Sequence, residues 1–110
     1  MLLENIKLFD GVFVDPTSSI NNIVIYNGVK VSKRCSLYGS KKHILEIGEN
    51  SYVGMNTIIN GYNSKVIIGS NVSIAQSVNI MADSGPNASK EKKKFFPMHR
   101  GAVTIGNHCW

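Results

Sequence analysis

A branched aliphatic residue followed by a small residue recurs at six-residue steps along this 110-residue chain. The units are Ile47-Gly48-Glu49-Asn50-Ser51-Tyr52, Val53-Gly54-Met55-Asn56-Thr57-Ile58, Ile68-Gly69-Ser70-Asn71-Val72-Ser73, Ile74-Ala75-Gln76-Ser77-Val78-Asn79 and Ile105-Gly106-Asn107-His108-Cys109-Trp110. A helix requires apolar residues at three- and four-residue spacings, and a half-buried strand requires strict alternation, so neither explains a six-residue period. The repeat predicts short strands joined by corners, with each circuit of the chain stacked on the previous one.

These units resemble those of the hexapeptide-repeat acyltransferases, over about residues 23 to 110. The resemblance implies an all-β fold: a single-stranded, parallel, left-handed β-helix with three hexapeptides per coil. Neighbouring coils would lie about 4.8 Å apart, with their aliphatic side chains stacked in a narrow core. The family geometry predicts three columns: Ile25, Ile47, Ile68 and Ile105 on the first face, Val31, Val53 and Ile74 on the second, and Leu37, Ile59 and Ile80 on the third.

The spacing along the first column predicts where the chain leaves the regular coil. Ile25 and Ile47 are 22 residues apart, Ile47 and Ile68 are 21 apart, and Ile68 and Ile105 are 37 apart, whereas three hexapeptides need 18. We therefore expect small loops near 39–43 and 61–64 and one long loop at about 83–101. A loop of that length within a repeat structure is either functional or disordered.

The whole chain is predicted to form a single β-helix domain, 1–110. Residues 1–22 would form an N-terminal cap or an incomplete first coil, 23–82 regular coils, 83–101 the loop and 102–110 the start of the next coil. The pattern in 1–10 is ambiguous between strand and helix. Further coils follow in the family, so the resemblance implies that this chain stops before the C-terminal coils.

The sequence has no pattern of a signal peptide and no apolar run long enough for a transmembrane helix, so we expect a cytoplasmic protein without membrane insertion. Its formal net charge is +5, but five of its twelve basic residues lie at 90, 92, 93, 94 and 100, in or beside the long loop. Because no aromatic-interleaved basic stripe accompanies them, a nucleic-acid partner is not expected. A basic loop can attract a phosphorylated acyl donor or an anionic glycan, or can simply be solvated.

The family resemblance implies transfer of an acyl group, mostly acetyl from acetyl-CoA, to a hydroxyl or an amine. A histidine acts as general base and must lie within hydrogen-bond reach of the acceptor's proton. In related sugar and polysaccharide O-acetyltransferases this histidine lies five residues after the last aliphatic residue of its coil, at the start of the long loop. Gly85 stands at that position here, which is a departure from the commonest pattern.

Two histidines are the alternative candidates for the catalytic base. His108 is predicted to stack at a corner above Asn71 and Asn50, where the long loop rejoins the coil; the alternative is a corner histidine that only hydrogen-bonds a backbone carbonyl. His99 lies within the loop and could reach the cleft of a neighbouring subunit. His43 lies in a distant small loop and is not a candidate.

The ends of the long loop supply the remaining predicted site residues. Asp83, Ser84 and Asn87 are expected to bind the acceptor, although an Asp in such a turn more often caps its own backbone. Trp110 resembles a family tryptophan near the acyl-donor cleft, so it is expected to line the acetyl-CoA site; it could equally pack against a loop or a neighbour.

Cys35 and Cys109 each lie four places after a core aliphatic residue, where the repeat requires a small side chain. We therefore expect two buried thiols rather than a disulfide or a redox pair.

Three functional hypotheses follow. The first is an O-acetyltransferase, a homotrimer by family resemblance, that acts on a sugar of a lipopolysaccharide or capsular polysaccharide precursor. The second is a truncated, non-catalytic β-helix that serves as an assembly module, which Gly85 and the missing coils favour. The third is a zinc enzyme of the carbonic anhydrase type, but His43, His99 and His108 lack that family's close spacing, so no metal is expected.

Overall fold

Short parallel strands stacked in three sheets form the structure, a computed structural model that describes residues 5–84, 99, 100 and 102–109. The described residues contain no helix and make a β-solenoid of about 4 turns. Face A consists of β1 (Ile6–Leu8), β4 (Ile23–Ile25), β7 (Leu45–Ile47), β10 (Val66–Ile68) and β15 (Val103–Ile105). Face B consists of β2 (Phe13–Val14), β5 (Lys30–Val31), β8 (Tyr52–Val53) and β11 (Ser73–Ile74). Face C consists of β3 (Ser19–Asn21), β6 (Ser36–Tyr38), β9 (Ile58–Asn60) and β12 (Asn79–Met81).

The strand register confirms the three predicted aliphatic columns. Ile25 pairs with Ile47, Ile47 with Ile68 and Ile68 with Ile105 on face A. Face B aligns Val31, Val53 and Ile74, and face C aligns Leu37, Ile59 and Ile80. The members of these columns in the middle coils are buried and form one continuous core, because all three faces direct every second side chain inward.

The N-terminal segment adds one further strand to each sheet. β1 pairs in parallel with β4, β2 with β5 and β3 with β6. Leu8, Val14 and Ile20 thereby extend the columns by one coil, and the ambiguity in residues 1–10 resolves to a strand at Ile6–Leu8.

The corners after face A, and most of those after face B, place one residue in the left-handed backbone region. After face A, the successive coils place Gly11, Gly28, Asn50, Asn71 and His108 at this position, with φ between 57° and 71°. After face B, the corner residues are Arg34, Asn56 and Ser77, with φ between 55° and 60°. Gly and Asn tolerate this conformation best, which explains their place in the repeat.

Where a glycine follows the aliphatic residue, it lets the coils approach closely. A Cβ atom on Gly48 would lie 2.6 Å from the carbonyl oxygen of Gly69 in the next coil. No other residue type fits there without moving the backbone.

All three excursions leave the solenoid at the corner between face C and face A. They are residues 39–44 between β6 and β7, residues 61–65 between β9 and β10, and the long loop between β12 and β15. The small loops match the prediction. The long loop starts and returns as an antiparallel ribbon of β13 (Asp83–Ser84) and β14 (His99–Arg100), and its residues 85–98 and 101 lie outside the described residues. We refer to these three segments together as the loop edge.

The two cysteines differ in environment. Cys35 is buried, 2% exposed, and its thiol donates to the carbonyl of Gly54 at 3.2 Å, as predicted for a core thiol. The prediction of a buried Cys109 is wrong: this thiol is exposed. Its coil is the last one described and is covered from one side only, by the coil that contains Val72 and Ser73.

The part of the chain that the structure describes contains no helix long and apolar enough to cross a membrane.

Candidate functional site

His108 occupies the last corner of the column that follows face A. Its φ is 61°, close to the 57° of Asn71 and Asn50 in the coils beneath, so the predicted stacking is confirmed. Its backbone N–H donates to the carbonyl of Ser70 at 2.9 Å, and the side-chain oxygen of Asn107 accepts from the N–H of Ser70 at 2.8 Å. The backbone at this corner is therefore fixed, while the imidazole is exposed and available to a molecule arriving from solvent.

His99 lies in the ribbon on the loop edge. The register places Ser84 opposite His99 and Asp83 opposite Arg100. The structure therefore brings together the backbones of three predicted site residues, Asp83, Ser84 and His99. Two others, Asn87 and Trp110, lie outside the described residues, as does Gly85.

The two candidate bases lie at different corners of the same coil. The ribbon precedes β15, whereas His108 follows it, so the width of face A separates them. Within one chain the structure does not bring His108 to the predicted acceptor residues of the ribbon.

A shallow groove on the outer surface of face A ends near the His108 corner. Its volume is about 290 Å³, and Glu46, Glu49, Ile67 and Ser70 contribute to its walls. Ser70 is the residue whose carbonyl accepts from His108. Glu46 is paired with Lys65, whose Nζ lies 2.7 Å from its Oε2, so Glu49 is the carboxylate of this groove that disfavours an anionic ligand.

A larger cleft lies on the loop edge, at a place that the sequence did not indicate. Its volume is about 430 Å³, and its walls include Lys41, Lys42 and His43 from one small loop and Tyr62 and Asn63 from the other. In the sequence, His43 lies in a small loop distant from the other candidates. The fold places it in a polar cleft because the two loops follow the same strand position in consecutive coils.

The first wall of this cleft is a tightly closed turn. The N–H of Ser40 donates to the carbonyl of His43 at 2.9 Å, and the N–H of His43 donates back to the carbonyl of Ser40 at 3.1 Å. A Cβ atom on Gly39 would lie 2.7 Å from the backbone nitrogen of Leu45, so the loop can fold back only over a glycine. The turn holds Lys41 and Lys42 at its tip, where both are exposed.

The floor and the far side of the cleft are also fixed by hydrogen bonds. Asn22 is 5% exposed, and its amide oxygen accepts from the amide of Asn5 at 2.6 Å. The N–H of Tyr62 donates to the side-chain oxygen of Asn60 at 3.1 Å, whereas the Tyr62 side chain is 59% exposed. The cleft is therefore a preformed surface with one accessible aromatic ring.

Among the described residues, no group of three or more His, Cys, Asp or Glu side chains lies close enough together to hold a metal ion.

Comparison of the chain with protein-family models gave no match, and comparisons with curated proteins and with solved structures gave none either. The fold therefore rests on the structure itself, and the family resemblance rests on the hexapeptide units and the stretch that ends at Trp110.

Proposed function

We propose that this chain is an acetyl-CoA-dependent O-acetyltransferase that acts on a sugar of a lipopolysaccharide or capsular polysaccharide precursor. It would belong to the hexapeptide-repeat acyltransferases with their left-handed β-helix. The main support is one observation: the coils of a three-faced parallel solenoid stack in the predicted register, and the long excursion leaves and rejoins it as a paired ribbon, Asp83–Ser84 with His99–Arg100. A cytoplasmic location would follow from the use of acetyl-CoA.

In this proposal an imidazole removes the proton from the sugar hydroxyl as its oxygen attacks the thioester carbonyl. The new ester forms, the carbon–sulfur bond breaks, and the imidazolium returns the proton to the leaving thiolate of CoA. His108 is the first candidate for this role because its backbone is fixed while its ring is exposed. His99 is the second.

The remaining roles follow from the family resemblance. Asp83, Ser84 and Asn87 would bind the acceptor, and Trp110 would line the acetyl-CoA site. Since His108 and the ribbon lie at different corners of one chain, a complete site favours a homotrimer, in which His108 of one copy meets the ribbon of another.

His108→Asn tests the role of His108 with little change in the backbone. Asn50 and Asn71 already hold the equivalent corners at φ 57°, so asparagine fits the corner and removes only the imidazole. Transfer of labelled acetyl from acetyl-CoA to a panel of sugars would be measured for the unmodified chain, His108→Asn and His99→Gln. Loss of a general base lowers turnover by roughly 100-fold or more. Near-normal turnover in both variants would exclude both histidines.

A non-catalytic assembly module is the second candidate. Gly85 at the usual base position favours it. So do outward-facing apolar side chains: Phe13 is 53% exposed, Tyr52 is 44% exposed and Ile58 is 42% exposed. Stable self-association in sedimentation, with no acetyl transfer to any sugar, would support this alternative over the first.

A further inference from the structure

The cleft formed by residues 39–44 and 61–65 has the chemical character of a site for a negatively charged sugar. Lys41 and Lys42 supply two ammonium groups at the tip of the closed turn, and His43 lines the same wall. No carboxylate contributes to the walls of the cleft among the described residues. An anion would therefore meet attraction there without opposing charge.

The neighbouring carboxylate is neutralised by another cation. Glu46 lies on the adjacent face A strand, and its Oε2 is 2.7 Å from Nζ of Lys65. Lys65 also donates to the carbonyl of Ile44, at the end of the first loop. Lys65 thus compensates Glu46, and Lys41 and Lys42 are both exposed to solvent.

The other groups of the cleft suit a sugar ring rather than a small inorganic ion. Tyr62 presents an exposed ring, whose negative face attracts the partly positive C–H groups of a pyranose. Ser40 and Asn63 contribute polar groups to the same walls. The cleft, of about 430 Å³, thus combines hydroxyl, amide and ammonium groups with one aromatic ring, and a charged sugar could use all of them.

A second hollow continues the cationic surface toward the first coil. It has a volume of about 530 Å³ and shares Lys41 with the cleft, and it adds Lys7. No acidic residue lines the described part of this hollow either. The cationic surface therefore extends beyond the cleft, toward Lys7.

From these contacts we infer that the cleft between residues 39–44 and 61–65 binds an anionic saccharide, in which a carboxylate or phosphate contacts Lys41 and Lys42 and the sugar ring stacks on Tyr62. This site lies at a different corner of the solenoid from His108, whereas the ribbon with His99 follows it on the same loop edge. Binding at this site can be measured without acetyl-CoA, so the test of this inference is independent of the proposed acetyl transfer.

The test is titration of the full chain with glucuronate, glucose 6-phosphate, inorganic phosphate and glucose, followed by two-dimensional NMR. Saturable shifts at Ser40–His43 and Tyr62 are expected for the two charged sugars. Lys41→Gln/Lys42→Gln should weaken their binding about tenfold, which corresponds to about 1.4 kcal/mol. Lys41→Arg/Lys42→Arg should retain it. The matched control is Lys30→Gln/Lys33→Gln, which removes two exposed charges elsewhere and should change affinity by less than about twofold.

Tyr62→Ser separates a sugar site from an anion site. It should weaken binding of glucuronate and glucose 6-phosphate but leave inorganic phosphate unchanged, because phosphate has no ring to stack. Three outcomes would overturn the inference. The first is the absence of saturable shifts up to about 20 mM of either charged sugar. The second is an equal loss of affinity in Lys41→Gln/Lys42→Gln and in the control Lys30→Gln/Lys33→Gln, and the third is inorganic phosphate that binds as tightly as both sugars.

Discussion

Lys65 joins two coils on the loop edge through its ion pair with Glu46, whose Oε2 lies 2.7 Å from the Lys65 Nζ. The same ammonium donates to the carbonyl of Ile44, which closes the first small loop. One side chain therefore fixes the second loop to the first and neutralises Glu46 on the adjacent strand.

Lys65→Met should loosen the first loop with little loss of overall stability. Both side chains of the ion pair are 32% exposed, so the pair contributes no more than about 1 kcal/mol to the free energy of unfolding. Amide hydrogen exchange at Ser40 and His43 should quicken, since their reciprocal hydrogen bonds lose an anchor. Lys33→Met, which removes an exposed lysine at another corner, is the control. Unchanged exchange in the Lys65 variant would contradict the anchoring role.

Gly48→Ala should destabilise the solenoid, whereas Gly106→Ala should not. The added methyl group at 48 would meet the backbone of Gly69 at 2.5 Å, but nothing lies within 4 Å of the equivalent atom at 106. Overpacking of this kind costs roughly 1–3 kcal/mol. Urea unfolding of the two variants measures the difference in stability. Equal midpoints would contradict the requirement for glycine at position 48.

The two thiols should react with Ellman's reagent at very different rates. Cys109 is exposed and should react in the native protein, whereas Cys35 is buried and should react only when the coil opens. In Cys109→Ser the fast phase should be absent and the slow phase should remain. Two thiols of equal reactivity in the native protein would place Cys35 outside the core.

Asp15 should make a small, pH-dependent contribution to stability. The hydroxyl of Thr17 and then its backbone N–H donate to this carboxylate, at 2.7 and 2.9 Å, and lower its pKa below the ordinary value of 3.8. Because the folded-state pKa is lowered, the contribution is fully present above the ordinary pKa and is lost as pH falls through the lowered folded value.

Asp15→Asn is the matched variant, because asparagine keeps a side-chain oxygen that can accept from Thr17 but does not titrate. The unfolding midpoints of the two proteins should differ near neutral pH and converge in strong acid. A difference between the two unfolding midpoints that persists at pH values below the folded-state pKa of Asp15 would contradict this prediction.

The regular coils could be predicted from the sequence because a six-residue period fixes which side chains face inward. The first coil was less visible because Phe9 and Asp15, rather than small residues, follow Leu8 and Val14. The aliphatic residues at 8, 14 and 20 nevertheless keep the period, and their register shows a regular coil.

The site was predictable only in part. The stacking of His108 on Asn71 followed from the repeat, because both occupy the same place in their units. The cleft did not follow, since it depends on Lys41 and Tyr62, which lie 21 residues apart in separate loops. The available signal was that both loops follow the same strand position in consecutive coils. The exposure of Cys109 could not be predicted from the repeat. The repeat defines the position of a residue within its coil, but burial also depends on whether a coil lies on each side of it.

Transfer of labelled acetyl from acetyl-CoA to sugars is the most direct test of the proposed activity. The account predicts an O-acetylated sugar with the unmodified chain and a loss of roughly 100-fold or more with His108→Asn or His99→Gln. No product with any glycan acceptor, from a folded protein whose far-UV circular dichroism shows the β-solenoid, would contradict the acetyltransferase assignment and favour the assembly module.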